Sequence, residues 1–179
     1  MYISELLKTV SQTLDSLEIP YMLSGSLALN LYAIPRATRD IDMVVELQEK
    51  HIDQFIAAIT DKFYFHEATI KEEIKRSGMF NIIHYDSSYK VDFIVRSSQP
   101  FELKKFQRRY QIDFLGSKIW VITLEDLILS KLMWIQRLES ELQKRDIQSL
   151  LENKNADLNY IKHWCKELKL ETYNLFNYE

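Results

Sequence analysis

Apolar residues recur every three or four positions at the start of the chain, and this spacing predicts a helix over residues 3–17. Ser4 is the expected N-terminal capping residue of this helix. Pro20 ends the pattern, and the apolar run at residues 21–23 predicts a short strand. The next apolar segment, residues 27–32, predicts a second helix, and a polar loop follows it.

Strand-like and helix-like segments alternate in the middle of the chain. Residues 40–47 alternate as a half-buried strand does, and residues 48–61 repeat apolar positions at helical spacing. A short apolar piece at residues 63–66 predicts another strand. Residues 71–76 form a short charged stretch that Gly78 ends.

Two hairpins are predicted in the second half of this region. The apolar runs at residues 79–85 and 90–96 flank the polar turn Asp86-Ser87-Ser88. The runs within residues 110–122 flank Gly116-Ser117 in the same way. The basic segment between the hairpins, residues 101–109, is expected to be helical or irregular.

The pattern changes to helix alone after Thr123, which with Asp126 forms an N-terminal capping signal. The helices predicted there cover residues 124–138, 141–152, 157–168 and 170–176. We therefore expect an α/β protein of the α+β type. Its mixed β-sheet and flanking helices would occupy residues 1–122, and a helical region would occupy residues 123–179.

The composition limits what the chain can be. It has 179 residues, 46% of them hydrophobic and 27% charged, which is ordinary for a globular protein and argues against general disorder. Cys165 is the single cysteine, so no intramolecular disulfide and no multi-cysteine zinc site can form. The formal net charge is −3, so any contact with nucleic acid would depend on a local basic patch.

The sequence also carries an expectation about location. Its first residues lack the basic segment and apolar run of a secretory signal. No stretch reaches the roughly 18 uncharged apolar residues of a membrane span. We expect a cytoplasmic protein with no membrane contact.

Asp40 and Asp42 are the first candidates for chemistry. On a strand, side chains two positions apart lie on one face, here about 6–7 Å apart. Two like charges at that spacing are tolerated when a cation or open water balances them. Carboxylate oxygens favour Mg²⁺, which keeps substrate phosphates among its ligands. The alternative is a pair of ordinary surface carboxylates on an exposed strand.

Gly25 and Ser26 lie where a predicted strand meets a predicted helix. The first N–H groups of a helix and its dipole suit a phosphate group, and glycine allows a ligand to approach the backbone closely. The alternative is a simple strand-to-helix turn that Ser24 or Ser26 caps. The order of these features, Gly-Ser and then Asp-Ile-Asp, is more informative than either pair alone.

This order resembles the nucleotidyltransferase superfamily, whose signature is Gly-Ser, a spacer of about a dozen residues and Asp-x-Asp. Here thirteen residues separate Ser26 from Asp40. The resemblance implies a third acid on a neighbouring strand, and Asp92 in the run KVDFIV fits it. It also implies transfer of a nucleoside monophosphate from a nucleoside triphosphate. Asp40, Asp42 and Asp92 would be catalytic and would bind Mg²⁺ or Mn²⁺.

The segment Arg36-Ala37-Thr38-Arg39-Asp40-Ile41-Asp42 is similar to the bacterial abortive-infection and toxin branch of this superfamily. Lys131-Leu132 and Arg145-Asp146 fit the C-terminal helices of that branch, but Ser149 replaces a second acid found in many relatives. The branch implies an RNA end, such as that of a tRNA, as acceptor, and a cognate antitoxin as partner. A protein or small-molecule acceptor, or a non-catalytic binding module, is the alternative.

Substrate binding is assigned to small and basic residues by their chemistry. Gly25 and Ser26 would bind phosphate, and Lys131, Arg36 and Arg39 would neutralise triphosphate charge. The interpretation of Lys131 as a solvated helix residue stays equally open, and one arginine could simply pair with a carboxylate.

Other residue groups have structural interpretations. The basic cluster Lys104, Lys105, Arg108 and Arg109 predicts a solvated face, with an RNA-binding patch as the alternative. Aromatic residues in apolar runs, Trp134 among them, are expected in the core. The four histidines lack metal-ligand spacing.

Overall fold

A computed structural model of the chain describes residues 2–176 and consists of a seven-stranded sheet with helices on both faces. The helices are α1 Ile3–Ser16, α2 Gly25–Leu29, α3 Ile52–Ile59, α4 Glu67–Arg76, α5 Pro100–Gln107, α6 Leu124–Ile135, α7 Glu141–Leu151 and α8 Leu158–Glu167. The strands are β1 Tyr21–Ser24, β2 Asp40–Val45, β3 Phe63–Tyr64, β4 Met79–His84, β5 Lys90–Val95, β6 Tyr110–Phe114 and β7 Ser117–Val121. A 3₁₀ turn, Glu49–His51, precedes α3.

The sheet has the order β3-β4-β5-β2-β1-β7-β6. β2 and β5 are parallel, as are β1 and β7, and the other neighbours are antiparallel. The predicted mixed sheet and both predicted hairpins, β4–β5 and β6–β7, are confirmed. The second turn lies one residue earlier than predicted, because Leu115 and Gly116 have φ of 48° and 73°. Such left-handed residues match the twist of a two-residue hairpin.

The two faces of the sheet have different roles. On one face, Phe55 of α3 contacts the rings of Phe93 and Phe80 edge-on, with centroids 5.4 and 6.0 Å away. Asp15 of α1 accepts a hydrogen bond from Tyr21 at the same face. On the other face, α2 packs against β1 and β2, and α6 packs against α2. This second face carries the acidic residues.

The C-terminal helices pack on the same hydrophobic core as the sheet. Leu132 of α6, Ile147 of α7 and Ile161 of α8 are fully buried in one cluster with the strand residues. The division at residue 122 stays a prediction. Within residues 2–176, the structure has no helix that is both long and apolar enough to cross a membrane.

Several predictions about local structure were wrong. α4 was not predicted. Ile70 and Ile74 form its buried side, and an ion pair between Glu67 and Lys71, which are one helical turn apart, stabilises it. The predicted helix over residues 170–176 does not form, and these residues consist of turns, a bend and irregular backbone. The expectation for residues 101–109 is confirmed, since most of them form α5.

Two predictions about single residues were also wrong. Ser4 does not cap α1, because the helix begins at Ile3. The Tyr2 backbone N–H instead donates to the carboxylate of Glu5 at 2.8 Å. Trp134 is not in the core, since 46% of its surface is exposed.

Phe93→Ala tests the packing of the buried face. Phe93 is 1% exposed and stacks on Phe80 with centroids 5.2 Å apart. We expect the substitution to lower the free energy of unfolding by about 3–5 kcal/mol, because a cavity replaces the ring. Urea denaturation measures this, with the exposed Leu138→Ala as a control that should change it by less than about 0.5 kcal/mol. Equal effects of the two variants would contradict this packing.

Candidate functional site

The three predicted acids lie on two neighbouring parallel strands. Asp40 and Asp42 belong to β2 and Asp92 to β5. In the strand register, Asp42 is opposite Asp92 and Asp40 is opposite Lys90. Partners in a parallel pair project from the same face. The register therefore brings together three carboxylates that are up to 52 positions apart in the sequence.

Lys90 is a member of this site that the sequence analysis missed. Its Nζ lies 2.9 Å from Oδ2 of Asp92 and 3.6 Å from Oδ1 of Asp40. The hydrogen bond to Asp92 raises the pKa of Lys90 above its usual range, and the charges of Asp92, Asp40 and Asp42 add to this. The available signal was its position two residues before Asp92, which puts both side chains on one face of β5.

Asp42 is a buried carboxylate whose surroundings disfavour its charged form. Burial raises its pKa, and the nearby charge of Asp92 raises it further. A hydrogen bond from the Ser26 backbone N–H and the charge of Lys131 act in the opposite direction. A buried carboxylate opposite a second carboxylate is stabilised when a cation joins them.

Gly25 and Ser26 lie directly beside the Asp42 side chain. Gly25 has φ of 60°, and a Cβ at this position would lie 1.8 Å from Oδ2 of Asp42. Only a residue without a side chain fits there. The Ser26 N–H donates to the same carboxylate, so the Gly-Ser pair orients Asp42 directly. α2 begins at Gly25 rather than at residue 27 and has only five residues.

Asp146 joins the loop before β2 to the C-terminal helices. Arg36 donates to it through two nitrogens, Nε to Oδ1 at 3.0 Å and Nη2 to Oδ2 at 2.9 Å. Lys131 Nζ donates to Oδ2 at 2.8 Å and to Gln143 at 2.8 Å. Arg36 Nη2 also donates to the Ser26 hydroxyl at 2.6 Å. A hydrogen-bonded chain therefore runs from Ser26, beside Asp42, through Arg36 and Asp146 to Lys131.

The pKa shifts in this cluster follow from burial and pairing. Burial lowers the pKa of Lys131, and Asp146 only partly offsets that effect. Burial by itself would raise the pKa of Asp146, but hydrogen bonds from Arg36 and Lys131 outweigh it and hold the pKa below its usual range. Asp146 therefore stays ionised beside two cations. In the sequence, Asp146 stood out only as part of the Arg145-Asp146 pair, because its burial depends on how α6 and α7 pack.

The loop between α2 and β2 is held by one asparagine. Asn30 donates to the Arg36 carbonyl at 3.1 Å and accepts from the Arg36 N–H at 3.0 Å. These bonds place Arg36 over Asp146. Arg39 is exposed, and within residues 2–176 no carboxylate pairs with its guanidinium. Sequence reasoning identified Arg36 and Arg39 but not Asn30.

The predicted basic cluster in and after α5 does not form a solvated face, because three of its four residues have partners within the protein. Lys105 is buried and pairs with Glu102 at 2.8 Å. Arg108 pairs with two carboxylates at the start of α6, at 2.9 and 3.0 Å. Arg109 stacks on two aromatic rings, 4.1 and 4.7 Å from their centroids. Lys104 alone of the four is exposed.

The donor set at the acidic site suits a divalent cation. Asp42 and Asp92 face one another with hard oxygen donors, and mutual repulsion contributes to the raised pKa of Asp42. In the present side-chain positions, no three acidic, histidine or cysteine side chains among residues 2–176 form a single metal-binding group. An ion bound to Asp40 or Asp92 would share these carboxylates with Lys90.

Comparison with known proteins gives one match over the whole chain. A family model described as a nucleotidyltransferase of unknown function (DUF6036) matches residues 1–179. No curated protein matches the sequence.

Solved structures with a similar fold include three with low sequence identity. The antibiotic-resistance factor ANT(2″)-Ia is 9% identical with a TM-score of 0.61, covering 93% of this chain and 92% of its own. An antigenic nucleotidyltransferase-like protein from Paracoccidioides brasiliensis is 18% identical with a TM-score of 0.57, covering 92% and 87%. The lincosamide antibiotic adenylyltransferase LnuA is 15% identical with a TM-score of 0.51, covering 80% and 93%. At these identities the likeness shows a shared fold.

Gly25→Ala tests the contact with Asp42. The left-handed backbone should cost about 1–2 kcal/mol of stability, and the added Cβ should displace the Asp42 carboxylate. Gly116→Ala is the matched control, since it has the same left-handed φ but no atom within 4 Å of the added Cβ. We expect a larger loss of stability in urea denaturation for Gly25→Ala than for Gly116→Ala, and loss of Mg²⁺-dependent thermal stabilisation in Gly25→Ala alone. Equal Mg²⁺ responses would contradict the role of Gly25.

Asp146→Asn tests the buried ion cluster. We expect the free energy of unfolding to fall by about 3 kcal/mol, because Lys131 would stay buried without a charged partner. The exposed pair of Asp113 and Lys118, 2.8 Å apart, is the control, and Asp113→Asn should cost less than about 1 kcal/mol.

The same cluster predicts a dependence on pH. The pKa of Asp146 is lower in the folded protein than in the unfolded chain. Its stabilising contribution is therefore present above the unfolded pKa of about 4 and is lost as the pH falls through the folded pKa. Denaturation at several pH values should show the difference between the parent and Asp146→Asn shrinking in acid. A constant difference would contradict the ion pair.

Proposed function

The chain belongs to the nucleotidyltransferase family whose model it matches over its whole length, and we propose that it transfers a nucleoside monophosphate from a nucleoside triphosphate to an acceptor hydroxyl. The observation that carries this proposal is the strand register that sets Asp42 opposite Asp92 with Asp40 on the same face. Three carboxylates in this arrangement can hold Mg²⁺ or Mn²⁺ beside a triphosphate.

The proposed reaction forms one bond and breaks another at the α-phosphorus. The acceptor oxygen forms a bond to the α-phosphorus, the bond from that phosphorus to the bridging oxygen breaks, and pyrophosphate leaves. Bound divalent ions would stabilise the attacking and leaving oxygens. We assign Asp40 and Asp42 to ion binding. Asp92 completes the set, and we assign to it the help in activating the acceptor hydroxyl by taking its proton.

The residues beside Asp42 supply positive charge for the triphosphate. Arg36 and Lys131 together carry two positive charges against the single negative charge of Asp146. The cluster is therefore net positive where it approaches Asp42. We propose that this cluster attracts the phosphate oxygens. The backbone at Gly25 and Ser26 would lie next to these oxygens. Arg39, which is exposed, would contact the part of the substrate nearest solvent.

The acceptor is proposed from charge and from the similar structures. An RNA end is the acceptor that the toxin branch suggests, but three of the four basic residues in and just after α5 are engaged inside the protein. LnuA is described with lincomycin bound, and ANT(2″)-Ia in complex with adenylyl-2″-tobramycin. These observations favour a small hydroxylated molecule over RNA. Action on a protein acceptor is a further alternative.

The biological setting stays a hypothesis. A toxin or phage-defence role in the cytoplasm, with a cognate antitoxin as partner, rests on the similarity of residues 36–42 to the toxin branch. Co-purification with a co-expressed neighbouring gene product would test it. A non-catalytic binding module is the alternative to any transferase, and retention of all three acids argues against it.

Asp42→Ala tests the transferase assignment. The parent protein is incubated with each α-labelled nucleoside triphosphate, MgCl₂ or MnCl₂, and one of three acceptors: total RNA, a panel of aminoglycosides and lincosamides, or cell-extract protein. We expect transfer with the parent and none above background with Asp42→Ala, because the variant loses the central carboxylate. Asp113→Ala removes an exposed acid on β6 and should transfer normally.

The outcomes separate the alternatives. Unchanged transfer by Asp42→Ala would overturn the catalytic assignment. Label in RNA would restore the RNA acceptor, and label in protein would point to a partner protein. No transfer, together with no melting shift in Mg²⁺ and nucleotide, would favour a non-catalytic module. A ligand present at a hundred times its dissociation constant should raise the free energy of unfolding by about 2.7 kcal/mol, which a melting experiment detects easily.

A further inference from the structure

Lys90 occupies the space between two of the three carboxylates. It is the first residue of β5, opposite Asp40 in the register and two positions before Asp92 on the same face. Its ammonium group contacts Asp92 at 2.9 Å and Asp40 at 3.6 Å. A single positive charge thus joins the two strands at the point where the carboxylates would otherwise repel.

A divalent cation would compete for the same carboxylates. Mg²⁺ binds oxygens at about 2.0–2.1 Å in nearly octahedral geometry. Oδ2 of Asp92 and Oδ1 of Asp40 lie 2.9 and 3.6 Å from the ammonium group of Lys90. An ammonium group and a divalent ion beside the same carboxylates would repel one another. Binding of the ion therefore favours movement of Lys90 away from the two acids.

The side chain of Lys90 is free to make that movement. It is 37% exposed, and a lysine carries its charge on a flexible four-carbon stem. The other two cations near Asp42 are less mobile, because Lys131 and Arg36 are both tied to the buried Asp146. Lys90 also lies at the start of its strand, where the chain leaves the polar turn after β4.

We propose that Lys90 is a resident counter-ion of the acidic site, which holds Asp40 and Asp92 together before metal binds and competes with the divalent cation for them. The inference rests on the proposed function for the identity of the metal site. It adds that metal affinity is set partly by a lysine which is not a metal ligand.

Lys90→Met tests the competition with MgCl₂ alone, without nucleotide. We expect the variant to bind Mg²⁺ about threefold more tightly or better by isothermal titration calorimetry, because a competing charge is removed. In EDTA the variant should melt at a lower temperature than the parent, since its carboxylates repel without a counter-ion. Saturating MgCl₂ should remove that difference.

Two further variants serve as controls. Lys90→Arg keeps the charge and should keep the affinity of the parent for Mg²⁺. Lys118→Met removes a strand lysine paired with an aspartate at 2.8 Å, far from the site along the sheet, and should leave the affinity unchanged.

The results distinguish this inference from the function on which it rests. If the parent binds Mg²⁺ and Lys90→Met binds it equally or more weakly, the competition is overturned and the metal site stands. If Lys90→Met melts lower both in EDTA and in saturating MgCl₂, Lys90 has a purely structural role and the inference fails. If no variant binds Mg²⁺ or Mn²⁺, both the metal site and the inference fail.

Discussion

Repulsion between Asp42 and Asp92 is the constraint around which the functional half of the protein is arranged. The parallel register of β2 and β5 brings these two carboxylates side by side, and burial makes their charges more costly. Each neighbouring residue reduces that cost. Ser26 donates its N–H to Asp42, Gly25 leaves room for the carboxylate, and Lys90 offsets the charge of Asp92. A site that is stable only with such compensation is well suited to accept a cation.

A second buried carboxylate, Asp146, fastens the C-terminal helices to this site. Arg36 approaches it from the loop before β2 and Lys131 approaches it from α6, so three separate segments meet at one charge. Removing Asp146 would leave the buried Lys131 without a charged partner. The helical region is therefore bound to the sheet by more than apolar packing. It also positions the positive charge that the proposed reaction needs beside Asp42.

The distribution of the remaining basic residues has a consequence for substrates. With a net charge of −3, the chain can attract a polyanion only through a local patch. Lys105 and Arg108 form ion pairs with carboxylates inside the protein, and Arg109 lies over aromatic rings. Arg36 and Lys131 remain beside Asp42, where we propose that the triphosphate binds. This favours recognition of a triphosphate over recognition of an extended nucleic-acid backbone.

The sequence by itself determined the order of most elements, the mixed sheet, and the family to which Asp40, Asp42 and Asp92 point, because periodicity and short spacings are local properties of the chain. It did not reveal the helix of residues 67–76, whose charged surface hides a narrow buried side. Only the tertiary structure decided the partners of Lys90 and Asp146, the burial of Lys105 and the exposure of Trp134. Those depend on strand register and helix packing between distant segments, and a residue's own neighbours in sequence do not encode which distant charge it will meet.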